Sequence, residues 1–188
     1  MTGSQSGPSR PGESQDEAAI SDFGLDWTIH PRFLTYIASM PDGRCSATDG
    51  AAPAPKGSGG RFRYEFAGVQ EFPEGRAICF RGDVRFSGHH GMLFVRIADP
   101  VIVLGDHSAL VTVTAPEASD SAGRIPLARF SLVQLADAPG EVGRNCLRGV
   151  DLRLMAEGVE LFGGVYAVGE RFDDLHLVLP SDIRVDAA

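Results

Sequence analysis

The stretch that most constrains the fold is Val84 to Pro100, VRFSGHHGMLFVRIADP. Apolar and polar residues alternate on both of its arms, with Val84 and Phe86 on the first and Leu93, Val95 and Ile97 on the second. A period of two sends alternate side chains to opposite faces of a strand, so each arm reads as a half-buried strand. The strands are placed at Asp83 to Phe86 and Met92 to Ile97, and the second stops at Asp99-Pro100, where proline supplies no ladder donor. Between them Ser87-Gly88-His89-His90-Gly91 is a tight turn. Its flanking glycines mark backbone of unusual φ. Two imidazoles therefore sit at a hairpin tip, either as exposed turn residues or as part of a site.

The same period recurs along the chain. Leu25, Trp27 and Ile29 alternate in a first strand that carries the only tryptophan. Phe62, Tyr64 and Phe66 form another, with Phe72 beyond a turn, and Ala77 to Phe80 a short one. Val101 to Leu104 and Ala109 to Thr114 flank a Gly105-Asp106-His107 turn as a second hairpin. Further strands are expected at Ile125 to Leu135, Val150 to Leu154 and Leu175 to Leu179, with Pro180 closing the last. Gly50 to Gly60, Pro116 to Gly123 and Ala136 to Arg148 read as loops, and Ala156 to Phe162 as a strand or a short turn.

One segment changes period. Pro31 suits the first turn of a helix, Phe33, Leu34, Ile37 and Met40 recur at helical spacing, and Pro41-Asp42-Gly43 ends it. A helix is expected from Pro31 to about Ser39, burying Phe33, Ile37 and Met40. Tyr36 adjoins that stripe and is expected to face inward, as a core tyrosine or as a site residue. The fold expected is all-β, a single domain of roughly ten strands with one or two short helices.

The 23 glycines and 12 prolines suit many short strands joined by turns. Residues 1–20 are rich in Ser, Gly, Pro, Glu and Gln and are expected to be a disordered tail, leaving 21–188 as the domain. A net charge of -8 without a basic run argues against nucleic acid as a partner. No apolar run is long enough to span a membrane, and the first residues lack the basic and apolar regions of a secretory signal. The expectation for the sequence as written is a cytoplasmic protein, or a secreted one if a signal lies upstream. Cys45, Cys79 and Cys146 form no CxxC pair, and an odd count does not suit a disulfide framework. They read as reduced thiols filling the core.

Catalytic motifs are missing: there is no GxSxG, no phosphate-binding loop and no GxGxxG. Adjacent side chains diverge on a strand or turn, so His89-His90 is a poor zinc site. Asp173-Asp174 reads as a solvated turn, and His30, His107 and His176 as surface or strand-face residues.

Read together, several segments resemble one family. FSGHHGML before a strand ended by Asp-Pro is similar to the Gly-His-x-Gly turn of the HtaA domain of actinobacterial haem-uptake proteins. Leu25 to Ile29 and Arg32 to Tyr36 resemble that family's Trp-containing strand and Tyr-bearing helix. Leu161 to Tyr166 and Phe172-Asp173 resemble its closing segment, so the likeness runs from about Phe23 to Leu179. The resemblance implies a β-rich domain that binds ferric haem without being an enzyme. Tyr36 would be the axial iron ligand, and His89, in the His slot of the turn, would hydrogen-bond it. Tyr166 would line the pocket. Phe33, Met40, Met92 and Phe162 would be porphyrin-face contacts or core. Arg32 stands where the family often has a small polar residue, and would meet a propionate or partly fill the pocket. The role implied is haem transfer, storage or sequestration, with another haem-transfer protein as a further partner. The alternatives are an interaction module that keeps the fold without haem, and a haem-dependent enzyme such as a weak peroxidase.

Overall fold

Every strand pairing among the described residues is antiparallel, and the pairings of the large sheet close on themselves. The computed structural model describes residues 22–54, 59–73, 75–116, 123–135 and 143–185. In chain order the elements are β1 (Gly24–Trp27), α1 (Pro31–Ser39), β2 (Arg44–Thr48), β3 (Ala51–Pro53), β4 (Phe62–Phe72), β5 (Gly75–Arg81) and β6 (Asp83–Gly88). They continue with β7 (Leu93–Ala98), β8 (Val101–Leu104), β9 (Ala109–Thr114), β10 (Arg124–Gln134), β11 (Arg144–Leu154), α2 (Ala156–Leu161) and β12 (Leu175–Pro180). The large sheet runs β1-β12-β11-β10-β9-β8-β5-β4, and β1 pairs again with β4 to close a barrel. Closure leaves the barrel strands without a free edge. β2, β6 and β7 form a second, three-stranded sheet.

Alternation explains which side chains fill the barrel. In β1, Leu25 and Trp27 are fully buried. Asp26 between them points outward and takes two 2.7 Å hydrogen bonds from Arg63, its partner on β4. The Trp27 indole N–H donates to the Asp173 carbonyl at 2.9 Å, so its polar atom is satisfied in the core. Tyr64 is also fully buried, and its hydroxyl donates to the Ile97 carbonyl at 3.3 Å. That bond and the edge-on contact of Phe86 with Phe62 dock the small sheet on the barrel.

The all-β architecture with two short helices matches the expectation, and α1 spans Pro31–Ser39. Several boundaries differ. The segment expected as a loop from Gly50 contains β3, which pairs with β4. The expected turn before Phe72 is a bulge near Gly68 (φ 135°) within one long strand. β11 starts at Arg144 rather than Val150, because residues 144–149 pair with β12. Ala156–Leu161 is helical, with Leu161 buried. None of the three cysteines is in a disulfide, but they do not fill the core, since Cys45 is exposed and Cys79 and Cys146 are half-buried. Asp174 is no solvated turn residue, because its carboxylate is mostly covered and takes a 2.7 Å hydrogen bond from Arg148. The tail expected over residues 1–20 lies outside the described residues.

One carboxylate braces the central hairpin. Arg85 and Arg96 are direct cross-strand partners on β6 and β7, an arrangement of like charges that costs stability. Asp83 lies between them, its side chain only 5% exposed, and accepts from Arg85 at 2.7 Å and Arg96 at 2.8 Å. Burial alone would raise the Asp83 pKa, but the two guanidinium hydrogen bonds win and hold it below the usual range. A depressed carboxylate stabilises the fold above its unfolded pKa, near 4, and loses that contribution as pH falls through the folded value. Asp83→Ala is expected to cost about 2–3 kcal/mol at neutral pH, since it leaves paired arginines uncompensated. Urea unfolding measures this, and a loss below about 0.5 kcal/mol, the scale of an ordinary surface change, would refute the bracing role.

Candidate functional site

α1 carries the first half of the site. His30 is its N-cap, accepting from the Phe33 N–H through Nδ1, and Pro31 occupies the first turn. Phe33 and Ile37 are buried and fix the helix. Phe33 meets Phe86 and Phe162 edge-on at 5.1 and 5.4 Å between ring centroids. With that stripe anchored, Tyr36 falls on the flank of the helix and is 46% exposed. The inward, core placement expected from its spacing is therefore corrected: the adjacent Ile37 takes the core side.

The hairpin tip carries the second half. His89, His90 and Gly91 all have positive φ, at 51°, 54° and 91°. A left-handed conformation costs a non-glycine residue about 1–2 kcal/mol, and such strain often accompanies functional positions. The unusual backbone expected at both flanking glycines falls on Gly91 and on the two histidines, whereas Gly88 is extended with φ -178°. The exit of α1 holds this turn in place. The His90 N–H donates to the Asp42 carboxylate at 2.6 Å. That bond is the main reason the Asp42 carboxyl lies below its ordinary range. Met40 packs beneath Gly88, where a Cβ would stand 2.7 Å from the methionine methyl carbon.

The two halves meet at one hydrogen bond. Tyr36 Oη lies 2.5 Å from His89 Nε2, joining residues 53 apart in sequence. In the neutral pair the phenol donates and Nε2 accepts, which puts the imidazole proton on Nδ1. If the phenol ionises, Nε2–H donates to the phenolate instead. The pair can thus keep the phenolic proton at Nε2 while the oxygen takes an electrophile. His90 points away, with its side chain 94% exposed.

Around this pair opens a cleft of about 640 Å³. Phe33, Tyr36, Leu161, Phe162, Gly163, Val165 and Tyr166 line it, together with His89, Met92, Leu93, Phe94 and Val95 from the hairpin. Among the described residues, Glu160 is the only carboxylate that lines it. An apolar cleft with a few convergent polar groups is the usual form of a small-molecule site. The Tyr166 ring stacks on His30 at 4.5 Å and meets Phe162 edge-on at 5.6 Å. Burial, then the nearby Glu170 carboxylate, pushes the Tyr166 phenol up, so it remains a neutral donor. Among the described residues no three His, Cys, Asp or Glu side chains converge as metal ligands.

The structure therefore brings Tyr36, His89, Tyr166 and Phe33 to one cleft, with Met92 and Phe162. Arg32 and Met40 do not line it. Arg32 is exposed, makes no hydrogen bond or ion pair among the described residues, and acts on Tyr166 and His30 through its charge alone. Phe94, Val165 and Glu160 also line the cleft, and His30, expected on a surface or strand face, is instead a buried helix cap. Phe94 was legible as a large apolar residue on the outward register of a strand. His30 was legible only as the residue before Pro31, the N-cap position.

The HtaA family model matches residues 22–178, most of the chain. The chain belongs to the HtaA family. Solved HtaA-family structures share its fold. The N-terminal domain of HtaA from Corynebacterium glutamicum is 27% identical, with a TM-score of 0.64 over 86% of this chain and 99% of that one. The C-terminal domain of the same HtaA is 18% identical, with a TM-score of 0.63 over 82% of this chain and 93% of that one. The haem-binding protein HtaB from that organism is 19% identical, with a TM-score of 0.60 over 84% and 91%. No curated protein matches the chain.

The link between helix exit and turn is open to a direct test. Asp42→Ala removes the acceptor of the His90 N–H. Hydrogen exchange is expected to accelerate at the His90 amide while amides anchored by Ile37 stay protected. An unchanged His90 amide would show that the turn holds its conformation without Asp42.

Proposed function

We propose that this HtaA-family protein binds ferric haem in the cleft, with the Tyr36 phenolate as axial ligand and His89 as its hydrogen-bond partner. The observation that carries this is the 2.5 Å Tyr36–His89 pair on the wall of an open, largely apolar cleft. The donor set suits the group. A phenolate is a hard anionic oxygen, a known axial ligand of haem iron, and iron bound there supplies the Lewis acidity that favours it. To act as a phenolate ligand the Tyr36 hydroxyl would give up its proton. His89 Nε2 is within reach to take that proton and then donate it as a hydrogen bond to the phenolate. The structural likeness to HtaB, a haem-binding protein, supports the same ligand class.

The remaining walls fit a flat apolar ring with an anionic edge. Phe33, Phe162, Met92 and Phe94 offer planar and polarisable contacts. The neutral Tyr166 hydroxyl is available to donate to a propionate, and the exposed Arg32 guanidinium, which acts on Tyr166 through its charge, adds positive potential there. Oxygen ligation of ferric iron weakens on reduction or on protonation of the ligand, which suits transfer, storage or sequestration rather than turnover. Transfer implies a second haem-carrying protein as partner.

Hemin titration followed by absorbance tests the reading. Wild-type protein is expected to bind one equivalent with a high-spin tyrosinate-type spectrum, and Tyr36→Ala to lose that spectrum. His89→Ala is expected to weaken or shift it, and the outward-facing His90→Ala to change it less. Equal losses in the two histidine variants would remove His89 from its role. A folded wild type that never saturates with hemin would overturn the haem reading and leave an interaction module.

A further inference from the structure

His30 lies at the junction of the two elements that frame the cleft. Its side chain is buried, with 4% of the residue exposed. Nδ1 accepts from the Phe33 N–H at 3.4 Å, and the residue's own carbonyl accepts from the Leu34 N–H at 3.2 Å. One residue thus satisfies two of the first amide donors of the helix that carries Tyr36. A face of the same ring stacks on Tyr166 at 4.5 Å, and the rings of His30 and Phe172 meet edge-to-face at 5.0 Å. Nε2 points toward Glu170 Oε1, 3.9 Å away.

An accepting Nδ1 in a buried site requires a neutral imidazole carrying its proton on Nε2. The ionisable groups around it are Glu170 and Tyr166, from the segment between α2 and β12, and Arg32, from its own helix. Burial lowers the His30 pKa, which the Glu170 carboxylate opposes and Arg32 reinforces. Protonation would turn Nδ1 from acceptor to donor, facing the Phe33 N–H with a like group and drawing the ring toward Glu170.

We propose that His30 is a positioning residue of the cleft: its neutral imidazole caps the helix that presents Tyr36 while its stacked face sets the Tyr166 ring. This rests on the haem reading above and adds a cause of acid release that is independent of the ligand oxygen. Acid disturbs both walls at once, because one ring serves both.

Two substitutions separate the two functions of the ring. His30→Asn keeps a good N-cap and removes the titratable stack, whereas His30→Phe keeps an aromatic stack and removes the cap. In the apo-protein, nitrogen NMR is expected to show His30 as the neutral Nε2–H tautomer at pH 7. The Phe33 amide is expected to stay protected in His30→Asn and to exchange faster in His30→Phe. With hemin at pH 7.5, His30→Phe is expected to bind about fivefold more weakly, the scale of a lost cap, with a perturbed tyrosinate band. His30→Asn is expected to retain that band and to release hemin at a lower pH than wild type. Wild-type affinity, spectrum and acid midpoint in His30→Phe would overturn the proposal. So would an unshifted acid midpoint in His30→Asn, which decides the matter even if His30→Phe fails to fold. If wild type shows no Tyr36-dependent hemin spectrum, the haem reading fails instead, and the apo NMR still reports whether His30 caps the helix.

Discussion

The pairing of β1 with both β12 and β4 is the constraint on which the rest of the structure depends. Four residues, Gly24–Trp27, close the barrel. They leave no room for variation at Gly24, where a Cβ would stand 2.4 Å from the Tyr64 carbonyl oxygen. The same four residues bury Trp27, and its indole bond to Asp173 ties the start of the barrel to the segment that ends the cleft. Because α1 follows β1 after only Thr28, Ile29 and His30, closure also decides where the helix sits. The Ile29 carbonyl accepts from the Asp173 N–H at 3.0 Å, and Ile29 takes a positive φ of 68° to make the corner.

The site is assembled from three elements that the barrel brings to one place. α1 supplies Tyr36, the hairpin supplies His89, and the turn after α2 supplies Tyr166. The helix and the hairpin are held by contacts beyond the Tyr36–His89 bond itself. Asp42 and Met40 hold the histidine turn, Asp83 reconciles the two arginines on its arms, and the Phe33–Phe86 contact locks helix to hairpin. Strained backbone at His89 and His90 persists because those contacts outweigh a cost of about 1–2 kcal/mol per residue. The result is a short, pre-formed phenol–imidazole pair on the wall of the cleft.

Legibility in the sequence followed the strength of local physics. α1 was legible to the residue, because Pro31, the Phe33–Ile37 spacing and Pro41 act within one helix. β7 and β9 were legible from alternation bounded by Gly, Asp and Pro. β3 and the first half of β11 were not, since short or polar strands exist only through their neighbours in the ladder. The length of β4 was hidden because a bulge at Gly68 and a turn share the same residue preference. The named residues Tyr36 and His89 came from a family pattern, whereas periodicity alone sent Tyr36 toward the core.

By itself the sequence determined the strand-rich class, the helix and its stop, the two histidines on a glycine-flanked turn, and a surface without basic runs. These rest on interactions between residues a few positions apart, which a linear chain already contains. Tertiary structure decided that the barrel closes through β1, that Tyr36 faces a cleft and not the core, and which histidine reaches it. It also decided that His30 is buried between two walls while Arg32 stays outside. Each of those outcomes depends on the relative placement of groups many residues apart, and packing of the closed barrel sets that placement.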